Sequence, residues 1–266
     1  MSPIDGHHKL VRWRMVTHAA IDGYSRLVVF LQCSNNNKAS TVCKYFLNAV
    51  QQYGLPSRVR SDQGKENTMV DQYMLENGGL NRGSMIVGSF VHNQRIERLW
   101  RDLHRCVTQL DYRLFYHLEY QNLLNPVNEY HLFALHYVFL PRLNRSMESF
   151  MKSWNSHSLR TEHGHSPIQL FSAPSILRQT SEHSDAEINV EVYGVEEVGI
   201  VGSDNEIAIP DSQVVLTMQQ ERMLQRTINP LSESENYGME LYEQTLDFFQ
   251  ICFTIITAKQ ISKTNQ

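Results

Sequence analysis

The order of patterns in this 266-residue chain predicts an α/β fold, a mixed sheet flanked by helices. Two apolar runs joined by an Asp-Gly turn come early and read as an antiparallel hairpin. Helical and strand patterns then alternate, which adds further strands to the sheet. A hydrophobic share of 41% is enough to cover both faces of such a sheet.

The elements follow in order. KLVRWRMVTHA (10–20) sets Val11, Trp13, Met15 and Val16 among polar residues, a strand pattern. IDGY (21–24) supplies the turn, and SRLVVFLQC (25–33) is the returning strand. Residues 37–53 carry Val42, Tyr45, Phe46, Ala49 and Val50 at helical spacing, stopped by Gly54 and Pro56. RVRSD (58–62) is a short strand, 66–77 a helix through Met69, Tyr73 and Met74, 78–84 a loop, and MIVGSF (85–90) a further strand. The segment VHNQRIERLWRDL (91–103) is a helix whose Ile96, Leu99, Trp100 and Leu103 form one apolar stripe. Residues 113–160 are rich in aromatics at helical spacing, with Pro126 and Pro141 expected to break them.

Charge divides the chain near residue 175. Residues 1–174 hold 19 Lys/Arg against 13 Asp/Glu, a net +6; residues 175–266 hold 5 against 15, a net −10. A basic body of this kind suits a polyanion. The acidic segment is expected either to cover the body as a phosphate mimic or to form a small module of its own, with a protein partner. Within it, EINVEVYGVEEVGIV (187–201) alternates enough to form strands. The four cysteines form no CxxC pair and no zinc-finger spacing, which fits a reducing, nuclear or cytoplasmic setting. No signal peptide is read at the start, and the most apolar run, 246–258, reads as a buried helix or strand, too short for a membrane span.

The helix at 91–103 raises a chemical question. Glu97 stands in its first turn among Arg95, Arg98, Arg101 and Arg105. Pairing with Arg101 at i, i+4 and with the helix dipole would stabilise it by well under about 2 kcal/mol, a purely structural role. Asp62 ends a predicted strand, where open α/β sheets hold their ligands. Asp5, in SPIDGHH, is a third acid ahead of the first full strand. Carboxylates converging on one point require a cation, and hard oxygen donors favour Mg2+ or Mn2+. Two such ions activate a nucleophile and stabilise a leaving oxygen at phosphorus.

These segments resemble, in order, the catalytic core of retroviral-type integrases and related transposases. SPIDGHHKL resembles the first catalytic strand, AIDGYSRLVVF the hairpin whose Asp22 is structural, VRSDQGKEN the second acidic segment and VHNQRIERLWRDL the glutamate helix. The separation of 35 residues between Asp62 and Glu97 is similar to the family's spacing, and SWNSHSLRTEHGHSPIQLF (153–171) is similar to its closing stretch. The resemblance covers about 1–172 and is to integrase-core proteins encoded in animal genomes. It implies an RNase H-like mixed sheet flanked by helices, which together with a helical extension occupies 1–174, ahead of the acidic tail at 175–266. It also implies a polynucleotidyl transferase that integrates DNA as a homo-oligomer, with Asp5, Asp62 and Glu97 as catalytic metal ligands. Asn93, Arg95, Arg98, Arg101, Arg105 and Lys65 are then the DNA-contacting residues.

Some features depart from the family's pattern. Asp5 lies four residues after Met1, so the first strand reads as clipped and Asp5 as mobile. The family's zinc-binding and basic flanking domains are not read, and Lys65 replaces a small residue. These departures favour a second reading, a domesticated and catalytically inactive DNA- or protein-binding module. His7 and His8 read as a solvated pair, and Asn93 serves equally as helix cap or DNA contact. His117, His131 and His136 read as core or surface residues, and Trp100 and Trp154 as core.

Overall fold

The computed structural model describes residues 2–61, 64–78, 83–87, 94–180 and 208–264. Its sheet consists of β1 (Ser2–His7), β2 (Val16–Ile21), β3 (Val28–Ser34), β4 (Val59–Ser61) and β5 (Met85–Val87), in the order β3-β2-β1-β4-β5. β1, β2 and β3 form an antiparallel meander. β4 runs parallel to β1, and β5 parallel to β4. This is the RNase H-like mixed sheet expected from the sequence. The first strand does not start at residue 10. Val11–Trp13 form a 3-10 turn, and Arg14 takes a left-handed backbone (φ 54°) that a strand cannot contain.

Helices cover both faces. On one side lie α1 (Ala39–Tyr53) and α2 (Thr68–Gly78), whose Val42, Phe46, Val70 and Met74 pack with Ile4, Ala20 and Phe30 of the sheet. On the other lie α3 (Gln94–Leu103), α4 (Gln109–Tyr120) and α5 (Glu129–Ser156). There Leu99, Leu103, Phe115, Val138 and Phe139 meet Trp13, Ala19, Ile21 and Leu31. A π-helical turn, His104–Thr108, joins α3 to α4. Ile96, Leu99, Trp100 and Leu103 are all buried, so the stripe read from the sequence is the one that docks α3.

Pro141 does not break the helix it was expected to interrupt, because α5 runs through it from Glu129 to Ser156. Buried Val138, Phe139, Leu143 and Met147 surround the proline, and this packing outweighs one lost backbone hydrogen bond. Asn144 and Asn155 add a second anchor. Asn155 accepts from the Val28 N–H at 2.9 Å and donates to the Val28 carbonyl at 2.9 Å. Asn144 does the same for Cys33, at 2.8 and 3.0 Å. Both strand residues lie on β3, the edge strand among the described residues, so α5 satisfies backbone groups that no described strand reaches.

The chain continues through α6 (Pro167–Thr180), α7 (Met218–Thr227) and α8 (Met239–Thr264). Leu224, Ile228, Leu241, Tyr242, Phe248 and Phe249 join the same core cluster as Trp13 and Phe139. The described part of the acidic segment therefore shares its core with the residues before 175. The strands expected at 187–201 lie outside the described residues. Among the described residues, no helix is long and apolar enough to cross a membrane.

Candidate functional site

Strand alternation decides which side chains of β1 meet α3. Ile4 packs towards α1, so Asp5 and His7 face the opposite layer. The Cα of Asp5 pairs with Ala19 of β2, placing it within the sheet. Its Oδ1 accepts from the Gly6 N–H at 2.8 Å, and its Oδ2 from the indole N–H of Trp100 at 2.7 Å. Asp5 is therefore held, not mobile as its closeness to Met1 suggested.

Trp100 comes from α3, the helix that carries Glu97. Three residues separate them, so both point to one side of the helix, with Cβ atoms about 5–6 Å apart at that spacing. Glu97 is exposed and forms no hydrogen bond or ion pair with a described residue, and the expected pair with Arg101 does not form. Arg98 and Arg105 instead lie on either side of Asp102, at 3.7 and 3.8 Å. Arg95 and Arg101 are exposed. Lys65, also exposed, opens a 3-10 turn, Lys65–Asn67, after β4. Asp62 follows Ser61, the last residue of β4, and lies outside the described residues, as does Asn93.

His7 is not the solvated residue the sequence suggested. Its ring stacks on Trp100, with centroids 5.0 Å apart and planes 18° from parallel. Burial lowers its pKa to about 4, and His104, His8 and Lys9 add repulsion. A neutral imidazole thus sits on the Asp5 face at neutral pH. His104, one turn beyond Trp100, shares a hydrogen bond with Thr108 across the π-helical turn, at 3.1 Å. Sequence reasoning assigned Trp100 only to the core and missed its grip on Asp5. The spacing was there to be used: His7 is two residues from Asp5 on a strand, and Trp100 three from Glu97 on a helix.

Elsewhere the acids and histidines serve structure. Asp22 accepts from the Tyr24 and Ser25 N–H groups and the Ser25 hydroxyl, closing the Asp-Gly turn. His136 hydrogen-bonds the Trp13 carbonyl through Nε2 at 2.7 Å. His131 meets the Tyr242 hydroxyl at 3.3 Å. Among the described residues, no group of three His, Cys, Asp or Glu is placed to hold a metal ion.

Comparison with known proteins places this geometry in context. A family model described as integrase core domain matches residues 2–186. No curated protein matches the chain. Among solved structures, the catalytic core domain of BIV integrase is 17% identical, with a TM-score of 0.45, over 67% of this chain and 97% of that one. The HTLV-2 integrase catalytic core domain, solved in complex with magnesium in a trimeric form, is 14% identical, with a TM-score of 0.42. That match covers 64% of this chain and 94% of the other.

Proposed function

Since the chain belongs to the integrase core domain family, we propose that it is a polynucleotidyl transferase core acting on DNA, with Asp5, Asp62 and Glu97 as its catalytic carboxylates. The observation that carries the reading is the Trp100–Asp5 hydrogen bond. It ties the helix of Glu97 to the strand of Asp5, one helical turn from Glu97 itself. The register of β1 and β4 adds to it. Pro3 pairs with Arg60, and two residues further along the chain from each stand Asp5 and Asp62.

The donor set fits Mg2+ or Mn2+, since all three side chains offer hard carboxylate oxygens. A carboxylate has about four lone-pair sites, so accepting two N–H groups and binding a cation are compatible. When bound, such ions supply a nucleophile at neutral pH and charge stabilisation at phosphorus. The chain's own part is orientation. Trp100 and the Gly6 N–H fix the Asp5 carboxylate, and neutral His7 adds no cation that would compete with a metal on that face. Arg95, Arg98, Arg101, Arg105, Lys65 and Asn93 are the residues for DNA phosphates. Homo-oligomerisation, a nuclear location and a protein partner for the acidic segment complete the proposal.

One observation favours the second reading, a domesticated module without chemistry. Both Asp5 oxygens already accept protein N–H groups, so the carboxylate is satisfied without a metal. The two readings differ in measurable ways. On the enzymatic reading, Mg2+ or Mn2+ raises the melting temperature, and Asp62→Asn removes the rise. With a pre-cut DNA end and Mn2+, strand transfer or nicking appears and disappears in Glu97→Gln, whose melting temperature is unchanged. Absence of both the metal shift and the activity, with DNA binding retained, establishes the inactive module.

A further inference from the structure

A second surface lies on the other flank of α3. Glu97, Trp100 and His104 follow one stripe, at i, i+3 and i+7. Arg98, Asp102 and Arg105 follow another, at i, i+4 and i+7, across the exposed ridge of Arg101. This second stripe forms one wall of a groove of about 710 Å3, and the C-terminal half of α5 forms the other.

The two walls differ in chemistry. Among the described residues, Arg98 and Arg105 flank only Asp102, and their side chains are 66% and 76% exposed. Arg145, from α5, adds a third guanidinium. Three cations face one carboxylate among the described residues that line the groove, and Arg145 also donates to the Leu231 carbonyl at 3.4 Å. The α5 wall carries an aromatic ledge of Phe150, Trp154 and His157, at i, i+4 and i+7. Phe150 and Trp154 have centroids 5.8 Å apart, and Trp154 and His157 5.4 Å. The Trp154 indole N–H donates to the Arg26 carbonyl at 3.1 Å, which fixes the half-buried ring in the groove wall. Exposed Ser149 and Ser153 lie on the groove side between ledge and arginines.

We propose that this groove binds a single-stranded segment of nucleic acid, with phosphates on the arginines and bases on the Phe150–Trp154–His157 ledge. Arginines alone would accept any polyanion. The ledge favours a ligand with flat apolar faces, and single strands expose base faces that a duplex hides. The inference shares Arg98 and Arg105 with the DNA contacts proposed above but needs neither a metal nor catalysis, and the groove lies on the flank of α3 away from Trp100 and Asp5.

The test uses the full chain in EDTA, which removes any contribution from metal at the carboxylates. Binding of a short labelled oligothymidylate is followed by anisotropy across a salt series. Three arginine contacts predict a slope of log affinity against log salt of about −2. The double variant Ser149→Glu/Ser153→Glu, both at exposed positions, places anions in the groove and is expected to weaken binding about tenfold or more. Phe150→Ala is expected to weaken it at least about fivefold while leaving the slope unchanged, because stacking releases no counterions. Melting temperatures confirm that each variant folds.

Cys106 gives an independent footprint. It lines the groove and is exposed, whereas Cys33 and Cys43 are buried. Its modification by a thiol reagent, read by peptide mass, should slow when oligothymidylate is bound. Unchanged affinity in the serine double variant, or unchanged Cys106 reactivity, overturns the proposal. Equal protection by a duplex or by an acidic peptide also overturns it, since the groove would then recognise charge alone.

Discussion

The Asp5 carboxylate is held by a residue whose ring also stacks on His7, so Trp100 carries two separable roles. Trp100→Phe keeps an aromatic ring and removes the N–H donor. A hydrogen bond to a charged group contributes about 1.5–3 kcal/mol, and partial exposure of Asp5 favours the lower end. The variant is expected to lose about 1–2 kcal/mol in urea unfolding without metal, and an unchanged midpoint would refute the role of the indole donor.

His18 offers a second test at the same scale. It is buried in β2 with Nε2 unpartnered among the described residues, and burial lowers its pKa from 6.5 to about 4. His8 adds repulsion, and Tyr45 lies beside the ring. The fold therefore favours neutral His18. Its contribution is complete above pH 6.5 and is lost progressively as pH falls towards 4. The loss at the acid end approaches about 3 kcal/mol, from 1.36 kcal/mol per pKa unit. His18→Phe should flatten urea stability across that window, and an unchanged slope would assign the acid sensitivity to other groups.

Among the elements, α5 shows what the sequence could not convey. The docking stripe of α3 was legible because its burial follows helical period, and α1 because Gly54 and Pro56 mark its end. The continuity of α5 through Pro141 was not legible, since local rules condemn an interior proline and the anchors lie elsewhere in the chain. Asn144 and Asn155 are ordinary helix-surface residues until β3 is placed beside them. The π-helical turn after α3 likewise has no signal in the spacing. Asn155→Ala leaves the Val28 N–H and C=O unpaired in a buried site, at a cost of about 1–3 kcal/mol each. A loss of about 2–5 kcal/mol is expected in Asn155→Ala and a smaller one in Asn144→Ala, where the asparagine is itself only half-buried. Hydrogen exchange at the Val28 amide should accelerate in the first variant only.

For the whole molecule, the candidate site was legible as a set of acids but not as a set of contacts. Position in the sequence and the family resemblance put Asp5, Asp62 and Glu97 forward as candidates, whereas the indole grip on Asp5 depends on how α3 docks. Nor did the net charge of 175–266 reveal that α7 and α8 complete the core. Burying Leu224, Ile228, Leu241, Phe248 and Phe249 contributes on the order of 10 kcal/mol, comparable with the whole net stability of a domain. Removing residues 208–266 is therefore expected to give an aggregating chain with no cooperative melt. A soluble truncation with a normal melting transition would mean that the sheet and α1–α5 suffice. The same loss makes deletion of 175–266 an unsuitable test of whether acidic residues cover the proposed DNA surface, and charge-neutralising substitutions are the better route.

The packing of α8 on α5 also bears on how the protein is made. During synthesis α5 is complete some ninety residues before Phe249 is added. At about 5–20 residues per second, Leu132, Phe139 and their neighbours wait roughly 5–20 s for their covering helix. Throughout that interval the nascent chain presents an aromatic-rich helix that its own later sequence must claim. Slowed elongation between residues 156 and 249 should therefore raise the need for chaperones and lower the soluble yield, even though the finished chain is unaltered.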